Sequence, residues 1–153
     1  MRRAFAGKEI VLGVTGSIAA YKACEIASRL KEYGATVRAA LSRAALSFVG
    51  PASFEGITGQ TAITSMFDPL QNPEIEHIAL ARRASLFLVA PATANVIAKV
   101  AHGIADDWLT TTLLATRAPI LIAPAMNTQM YLHDAPQANI EVLKQRGVQF
   151  VGP

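Results

Sequence analysis

Short apolar runs alternate along the chain with segments that are typical of helices. The apolar runs, which predict strands, are Glu9 to Val14, Thr36 to Leu41, Leu86 to Ala90, Ile120 to Ala123 and Val148 to Val151. The predicted helices are Ile18 to Tyr33, two short segments between Arg43 and Gln60, Glu74 to Ala84, Ala94 to Ala101, Asp106 to Thr116 and Ala135 to Arg146. Met66 to Pro73 is predicted to be a loop, and Gly34 and Gly147 are predicted to end helices. This alternation predicts an α/β fold, with a Rossmann-like, doubly wound parallel sheet.

Three loops that follow predicted strands carry small and polar residues. They are Gly13 to Ile18, Pro91 to Asn95 and Pro124 to Met130. In an open α/β sheet, ligands bind in the crevice outside the carboxyl ends of the strands. We therefore expect the three loops to border one ligand site.

The composition predicts a single oligomeric domain. The chain has 153 residues, of which 52% are hydrophobic. Its mean hydropathy of +0.32 is high for a domain of this size, which indicates apolar surface buried between subunits. Pro91 and Pro124 interrupt the two strongest apolar runs, so we expect no membrane span. Lys8 and Glu9 follow Arg2 and Arg3 before any apolar signal region develops, which favours a cytoplasmic location.

The charge pattern and the single cysteine exclude several classes of function. The formal net charge is +3, but the basic residues are scattered among acidic ones, so nucleic acid is not an expected partner. Cys24 is the one cysteine of the sequence, which excludes an intramolecular disulfide and a thiolate metal cluster. No two histidines have the spacing of a zinc site, and we predict no metal.

Gly16 and Ser17 open the first predicted helix, where free backbone amides favour a phosphate group. The lysine of a P-loop does not follow Gly16, and the second strand ends at Ser42 and Arg43, where a dinucleotide site has an acidic residue. Ser17 and Ser42 end adjacent strands, which favours one shared phosphate and a mononucleotide. The alternative is that the glycines only form a tight turn.

The three histidines differ in their predicted settings. His77 lies in the first turn of a helix that leads into a central strand, so it is either a catalytic base or a surface residue. His102 ends a helix, so a capping role is expected for it, whereas His133 is expected in a solvated turn.

Amide and carboxylate residues at the strand ends have two interpretations. Asn95 and Asn127 either bind a planar heterocycle or a carboxylate, or cap their loops. Asp106 and Asp107 are expected to open a helix as N-cap residues. Residues that either contact a ligand ring or fill the core are Trp108, Met126 and Met130.

Taken together, these segments resemble the flavin-dependent cysteine decarboxylases. The resemblance extends from about Lys8 to Pro153 and depends on the order and spacing of the motifs. The motifs are Gly16 to Lys22, His77 ahead of a short helix, Pro91 to Asn95 with Gly103 to Asp107, and Pro124 to Met130 with Asn139 and Gly147.

The resemblance implies a flavoprotein three-layer sandwich that binds FMN between the subunits of a homotrimer, which in many relatives assembles further into a dodecamer. It implies that Gly16, Ser17, Ile18 and Ser42 meet the FMN phosphate, and that Pro91, Ala92, Thr93 and Asn95 border the flavin. It implies that His77 is the active-site base, and that Asn127 and Met130 bind the substrate, with Asn127 on its carboxylate.

The implied reaction converts 4′-phosphopantothenoylcysteine to 4′-phosphopantetheine in coenzyme A biosynthesis. FMN oxidises the substrate thiol to a thioaldehyde, the carboxylate leaves as carbon dioxide, and reduced flavin returns the electrons to the enethiol. The flavin carries the difficult step, and the protein holds the thiol and manages protons.

The sequence departs from its relatives in two places. Asp134 and Pro136 stand where relatives have a Pro-Ala-Thr order, which is expected to reshape the loop after Met130. Relatives continue into a flap whose cysteine donates the last proton, whereas this sequence ends at Pro153. We therefore expect residues 1–153 to form a single FMN-binding decarboxylase domain that lacks the C-terminal substrate flap.

Three alternatives remain open from the sequence. A flavin prenyltransferase shares the fold, but its phosphate loop usually reads Gly-Ala-Ser-Gly and it lacks the Pro-Ala-Met-Asn segment. A catalytically silent FMN-binding homologue that regulates a partner is a second alternative. An NADP-dependent reductase, with Arg43 pairing a 2′-phosphate, leaves the Asn127 segment unexplained.

Overall fold

A computed structural model describes residues 3–65 and 73–152, with the side chains of residues 73–77 outside the description. The strands are Glu9–Val14 (β1), Thr36–Leu41 (β2), Leu86–Ala92 (β3), Ile120–Pro124 (β4) and Gln149–Phe150 (β5). The α-helices are Lys22–Glu32 (α1), Pro51–Thr58 (α2), Pro73–Arg83 (α3), Ala94–His102 (α4), Trp108–Ala115 (α5), Thr128–Leu132 (α6) and Asp134–Gln145 (α7). Two short 3₁₀ turns cover Ile18–Tyr21 and Ala44–Ser47.

The strands form one parallel sheet in the order β2-β1-β3-β4-β5, as the alternating pattern predicts. Leu12 of β1 is paired with Ala39 on one side and with Leu88 on the other. Because β1 and β3 are interior strands with both faces covered, their sequences are nearly continuous apolar runs. The prediction of an α/β fold with a doubly wound parallel sheet is confirmed.

Two separate cores lie on the two faces of the sheet, because successive strand residues point in opposite directions. Phe87 and Ile122 face one core, which is completed by α3, α4, α5 and α7. Leu12 and Val14 face the other core, which is completed by α1 and α2. The sheet is therefore the middle of three layers.

Several predicted boundaries need correction. The predicted helix from Ile18 to Tyr33 begins as a 3₁₀ turn, in which the Ala20 amide donates to the Ser17 carbonyl at 2.9 Å and the Ser17 hydroxyl accepts the Ala19 amide at 3.1 Å. β3 continues to Ala92, which pairs with Pro124 of β4. Met66 to Pro73, the predicted loop, lies outside the described residues up to residue 72, and Pro73 begins α3.

The segment after Asn127 forms a helix that the sequence did not predict. α6 has only five residues, too few to give a helical hydrophobic pattern, and Asn127 caps it. α7 begins directly afterwards, and His133, which is exposed at the bend between the two helices, accepts the Ala135 amide through its ring as the cap of α7. The predicted helix start at Asp106 was also too early, since Asp107 is the cap of α5.

Glycine ends two helices as the sequence predicts. Gly34 and Gly147 have φ angles of +97° and +91°, which side chains rarely tolerate. Among the residues that the structure describes, no helix has the length and apolar character needed to cross a membrane.

A buried threonine ties the carboxyl ends of β1 and β3 together. The Thr15 hydroxyl donates to the Pro91 carbonyl at 2.7 Å and accepts the Thr93 amide at 3.0 Å. The Thr15 amide donates to the same Pro91 carbonyl at 3.2 Å. Thr15 is fully buried, so these bonds are shielded from water.

We predict that Thr15→Val destabilises the protein by about 1–3 kcal/mol, because it leaves the Thr93 amide without its acceptor. The measurement is the urea-unfolding free energy. Thr112→Val is the matched control, since Thr112 is equally buried and its hydroxyl donates only to the Trp108 carbonyl of its own helix. Equal losses for the two variants would contradict a special role for Thr15.

Candidate functional site

A cavity of about 830 Å³ opens at the carboxyl edge of the sheet, beside β1 and β3. The strand order reverses between these two strands, which is the point where open α/β sheets bind their ligands. Its walls come from the segments that follow four strands. The lining residues are Gly16, Ser17 and Ile18 after β1; Ser42, Arg43, Ala44 and Ser47 after β2; Thr93, Ala94, Asn95, Val96 and Lys99 after β3; and Ala125, Met126 and Met130 after β4, with Asp107 at the start of α5.

The segment after β1 supplies hydrogen-bond donors to the cavity. Within the described part of the chain, the backbone amides of Gly16 and Ile18 donate to no acceptor. The Ser17 oxygen accepts the Ala19 amide, so its hydroxyl hydrogen remains available to a ligand. This wall therefore suits an anionic oxygen.

The segment after β2 lies directly against the first one. A Cβ atom on Gly16 would collide with the Cβ of Ala44, so only glycine allows the two turns to approach this closely. The Ser42 amide donates to the Val14 carbonyl at 2.9 Å, and its buried hydroxyl accepts the Ala45 amide at 3.2 Å. Like Ser17, Ser42 keeps a hydroxyl hydrogen for a ligand, and the predicted serine pair does border one cavity.

The segment after β3 forms the opposite wall. Thr93 caps α4 by accepting the Val96 amide at 3.2 Å, and Asn95 is exposed at the cavity. Pro91 and Ala92 are buried behind this wall and do not line the cavity. Their carbonyls accept the Thr15 and Ala125 amides, so they hold the loops in place.

The segment after β4 contributes two methionines. Met126 and Met130 line the cavity, and Met130 is half exposed, at 49%. Asn127 is exposed and does not line it; its side-chain oxygen accepts the Gln129 amide at 2.8 Å. The capping alternative for Asn127 therefore holds in this structure, and among the described residues its amide NH₂ group has no acceptor.

Two aspartates next to the cavity are already engaged. The Asp106 carboxylate accepts Lys99 Nζ at 2.8 and 3.1 Å, and this hydrogen bond holds the pKa of Asp106 below its ordinary value. The ion pair therefore stabilises the fold at neutral pH and is lost as the pH falls through that lowered pKa. Asp107 Oδ1 accepts the Thr110 amide at 2.7 Å and the Thr110 hydroxyl at 2.6 Å, as its predicted capping role requires.

The other candidate residues lie away from the cavity or outside the description. His77 falls within α3, but its side chain is not among those the structure describes. The His102 ring lies 3.1 Å from the Asn139 side-chain oxygen. Cys24 lies on α1, where burial raises the pKa of its thiol, and it does not line the cavity.

Sequence reasoning did not assign Lys99 or Ser47 to the site. Lys99 follows Asn95 by one helical turn, and this spacing places both on the same face of α4. This spacing in the sequence could have indicated that Lys99 borders the site. Ser47 lies in a 3₁₀ turn that the hydrophobic pattern does not resolve.

Sequence comparison matches residues 2–153 to the Flavoprotein family. The chain belongs to this family. The match confirms the resemblance to flavin-dependent enzymes that the motifs indicate.

Individual relatives agree with the family assignment. The coenzyme A biosynthesis bifunctional protein CoaBC of Bacillus subtilis is 50% identical over 147 residues, which cover 95% of this chain and 36% of that protein. The chain spans little more than a third of the length of the curated relatives it matches.

Solved structures of the same fold include cysteine decarboxylases. The FMN-dependent cysteine decarboxylase SpaF has a TM-score of 0.88 and 34% identity, covering 97% of this chain and 85% of its own. A PPC decarboxylase mutant complexed with pantothenoylaminoethenethiol has a TM-score of 0.81 and 28% identity, covering 95% of this chain and 82% of its own. The three-layer flavoprotein fold is confirmed.

We predict that Gly16→Ala destabilises the protein by about 1–3 kcal/mol, because the added methyl group forces the two turns apart. Urea unfolding measures the change. Gly56→Ala is the matched control: no atom lies within 4 Å of the new methyl group and Gly56 is inside α2, so a gain of roughly 0.5–1 kcal/mol is expected. Similar gains for both variants would mean that the turns separate without cost.

Proposed function

We propose that this domain binds FMN in the cavity and decarboxylates 4′-phosphopantothenoylcysteine to 4′-phosphopantetheine, a step of coenzyme A biosynthesis. The observation that carries the proposal is the donor set of Gly16, Ser17, Ile18 and Ser42 at the point where the strand order reverses. Relatives named for coenzyme A biosynthesis and a neighbouring PPC decarboxylase support the same reaction.

The residues present fit FMN in chemistry and in size. Two serine hydroxyls and two amides that have no acceptor among the described residues suit the phosphate group, and Gly16 provides close backbone approach to it. The remaining wall is largely apolar around Ala94, Val96 and Met126, which suits a planar ring system. A volume of about 830 Å³ is within the range of cofactor sites.

When bound, FMN supplies the reversible oxidation of the substrate thiol, which makes loss of carbon dioxide from the adjacent carbon possible. Ser17 and Ser42 anchor the phosphate through their hydroxyl hydrogens. Thr93 and Asn95 border the ring from the segment after β3. The hydrogen bonds of Thr15 to Pro91 and Thr93 hold this segment in place. The exposed Asn127 amide binds the substrate carboxylate, and Met130 lies beside the substrate.

His77 acts as the base that takes the thiol proton. Histidine exchanges protons near neutral pH, and α3 leads directly into the central strand β3. The chain assembles as a homotrimer, with further assembly into a dodecamer. Exposed Ile18, Tyr21 and Leu132 support contacts between subunits. The oligomeric state and the cytoplasmic location stay predictions.

We predict that the purified protein is yellow, releases FMN and not FAD on denaturation, and removes carbon dioxide from 4′-phosphopantothenoylcysteine. Chromatography of the released flavin and mass spectrometry of the product measure these outcomes. The serine analogue of the substrate is the control, because it lacks the thiol that the flavin oxidises and should keep its carboxylate. A colourless protein that takes up no added FMN would refute the proposal.

We predict that His77→Asn keeps FMN and the assembly but lowers kcat by roughly 10²-fold or more, the usual scale for a general base. The matched control is His133→Asn, whose asparagine still caps α7 and which should retain parental turnover. Steady-state kinetics on flavin-matched samples make the comparison. Turnover within a few-fold of the parent for His77→Asn would return His77 to a surface role.

A further inference from the structure

We propose that Arg43 binds the phosphate monoester of the ligand in the cavity and sets its preference for FMN over riboflavin. This inference rests on the proposed function and adds a specificity-determining side chain to it. The serines and amides of the cradle are neutral donors, whereas Arg43 would supply positive charge.

The charges at the cavity single out this arginine. Within the described residues, the charged side chains that line it are Arg43, Lys99 and Asp107. Lys99 is held by both carboxylate oxygens of Asp106, and Asp107 accepts two bonds from Thr110. The guanidinium of Arg43 has no hydrogen bond or ion pair to any residue the structure describes, so its donors are free.

The backbone fixes Arg43 next to the phosphate cradle. Ser42, its neighbour, is held by the hydrogen bond of its amide to the Val14 carbonyl, and Ala44 on the other side lies against Gly16. The planar fork of a guanidinium matches two oxygens of a phosphate group and pairs with them more strongly than a neutral donor does. Arg43 therefore adds charge on the wall that already presents the Ser42 hydroxyl.

Two carboxylates face the same region and could compete for Arg43. Asp106 and Asp107 line, together with Arg43, an adjoining cavity of about 210 Å³. Lys99 and Thr110 already donate hydrogen bonds to these carboxylates. The carboxylates therefore attract the guanidinium less strongly than a phosphate dianion does. The proposed substrate also carries a phosphate monoester that Arg43 would bind. The experiment below distinguishes binding of the substrate phosphate from binding of the FMN phosphate.

The test compares flavin binding in the parent, Arg43→Gln and Arg43→Lys, using the full chain freed of flavin by dialysis. Quenching of flavin fluorescence gives Kd for FMN and for riboflavin. We expect Arg43→Gln to weaken FMN binding by about 10-fold or more while riboflavin stays within about 2-fold, because only FMN carries the phosphate. Arg43→Lys keeps the positive charge but loses the planar guanidinium, so its FMN affinity should lie between those of the parent and Arg43→Gln.

Arg117→Gln is the matched control. Arg117 is exposed, has no recorded partner among the described residues, and precedes β4 at the opposite edge of the sheet. Its FMN affinity should equal that of the parent. Raising the salt concentration should weaken FMN binding more in the parent than in Arg43→Gln, because salt screens a charge that the variant lacks.

Four results would overturn the inference. An Arg43→Gln variant with parental Kd values for both FMN and riboflavin would show no phosphate contact, and equal weakening of both flavins would show a general structural effect. A rise in KM confined to the phosphorylated substrate, with FMN affinity unchanged, would assign Arg43 to the substrate phosphate. A parent that binds no flavin would refute the proposed function as well, whereas flavin binding with an unchanged ratio refutes this inference alone.

Discussion

The site depends on the hydrogen bonds of Thr15, which continue the contact between β1 and β3 after their ladder stops. The paired register of these strands runs from Ile10 opposite Leu86 to Gly13 opposite Val89, and β3 becomes irregular beyond that point. From there, the Thr15 amide and hydroxyl take over by bonding to Pro91 and Thr93. Two opposite walls of the cavity are thus joined through one buried side chain, and their separation is fixed without a ligand.

Close packing against two glycines, Gly13 and Gly16, fixes the positions of the remaining cavity walls. A Cβ atom on Gly13 would lie 2.8 Å from Leu109 Cδ1, so the start of α5 sits directly against β1. The contact between Gly16 and Ala44 brings the turn after β2 against the turn after β1 in the same way. Asp107 and Ser42 reach the same cavity for this reason, although 65 positions separate them along the chain.

The sequence predicts the strands and the crevice because both depend on local patterns. Apolar runs identify the strands, and the loops with Ser17, Ser42 and Thr93 follow them directly. The Thr15 contact could not be predicted, since it joins residues 76 positions apart through a single hydroxyl. The ion pair of Lys99 with Asp106 could not be predicted from the sequence either, because the chain turns at Gly103 between the two residues. α6 is too short to leave a periodic signal, and Asn127 was the only sign of it.

The nature of the donors explains how such a site holds an anion across the neutral range. The serine hydroxyls and the amides of Gly16 and Ile18 do not change protonation between pH 5 and 8, and no histidine is among the described lining residues. Asp106, whose pKa is lowered by Lys99, stays ionised throughout that range. The ligand phosphate titrates within that range, since its second pKa is about 6. The serine hydroxyls and the two amides are the same donors for both forms of the phosphate, so the loss of one phosphate charge is expected to weaken binding below that pH.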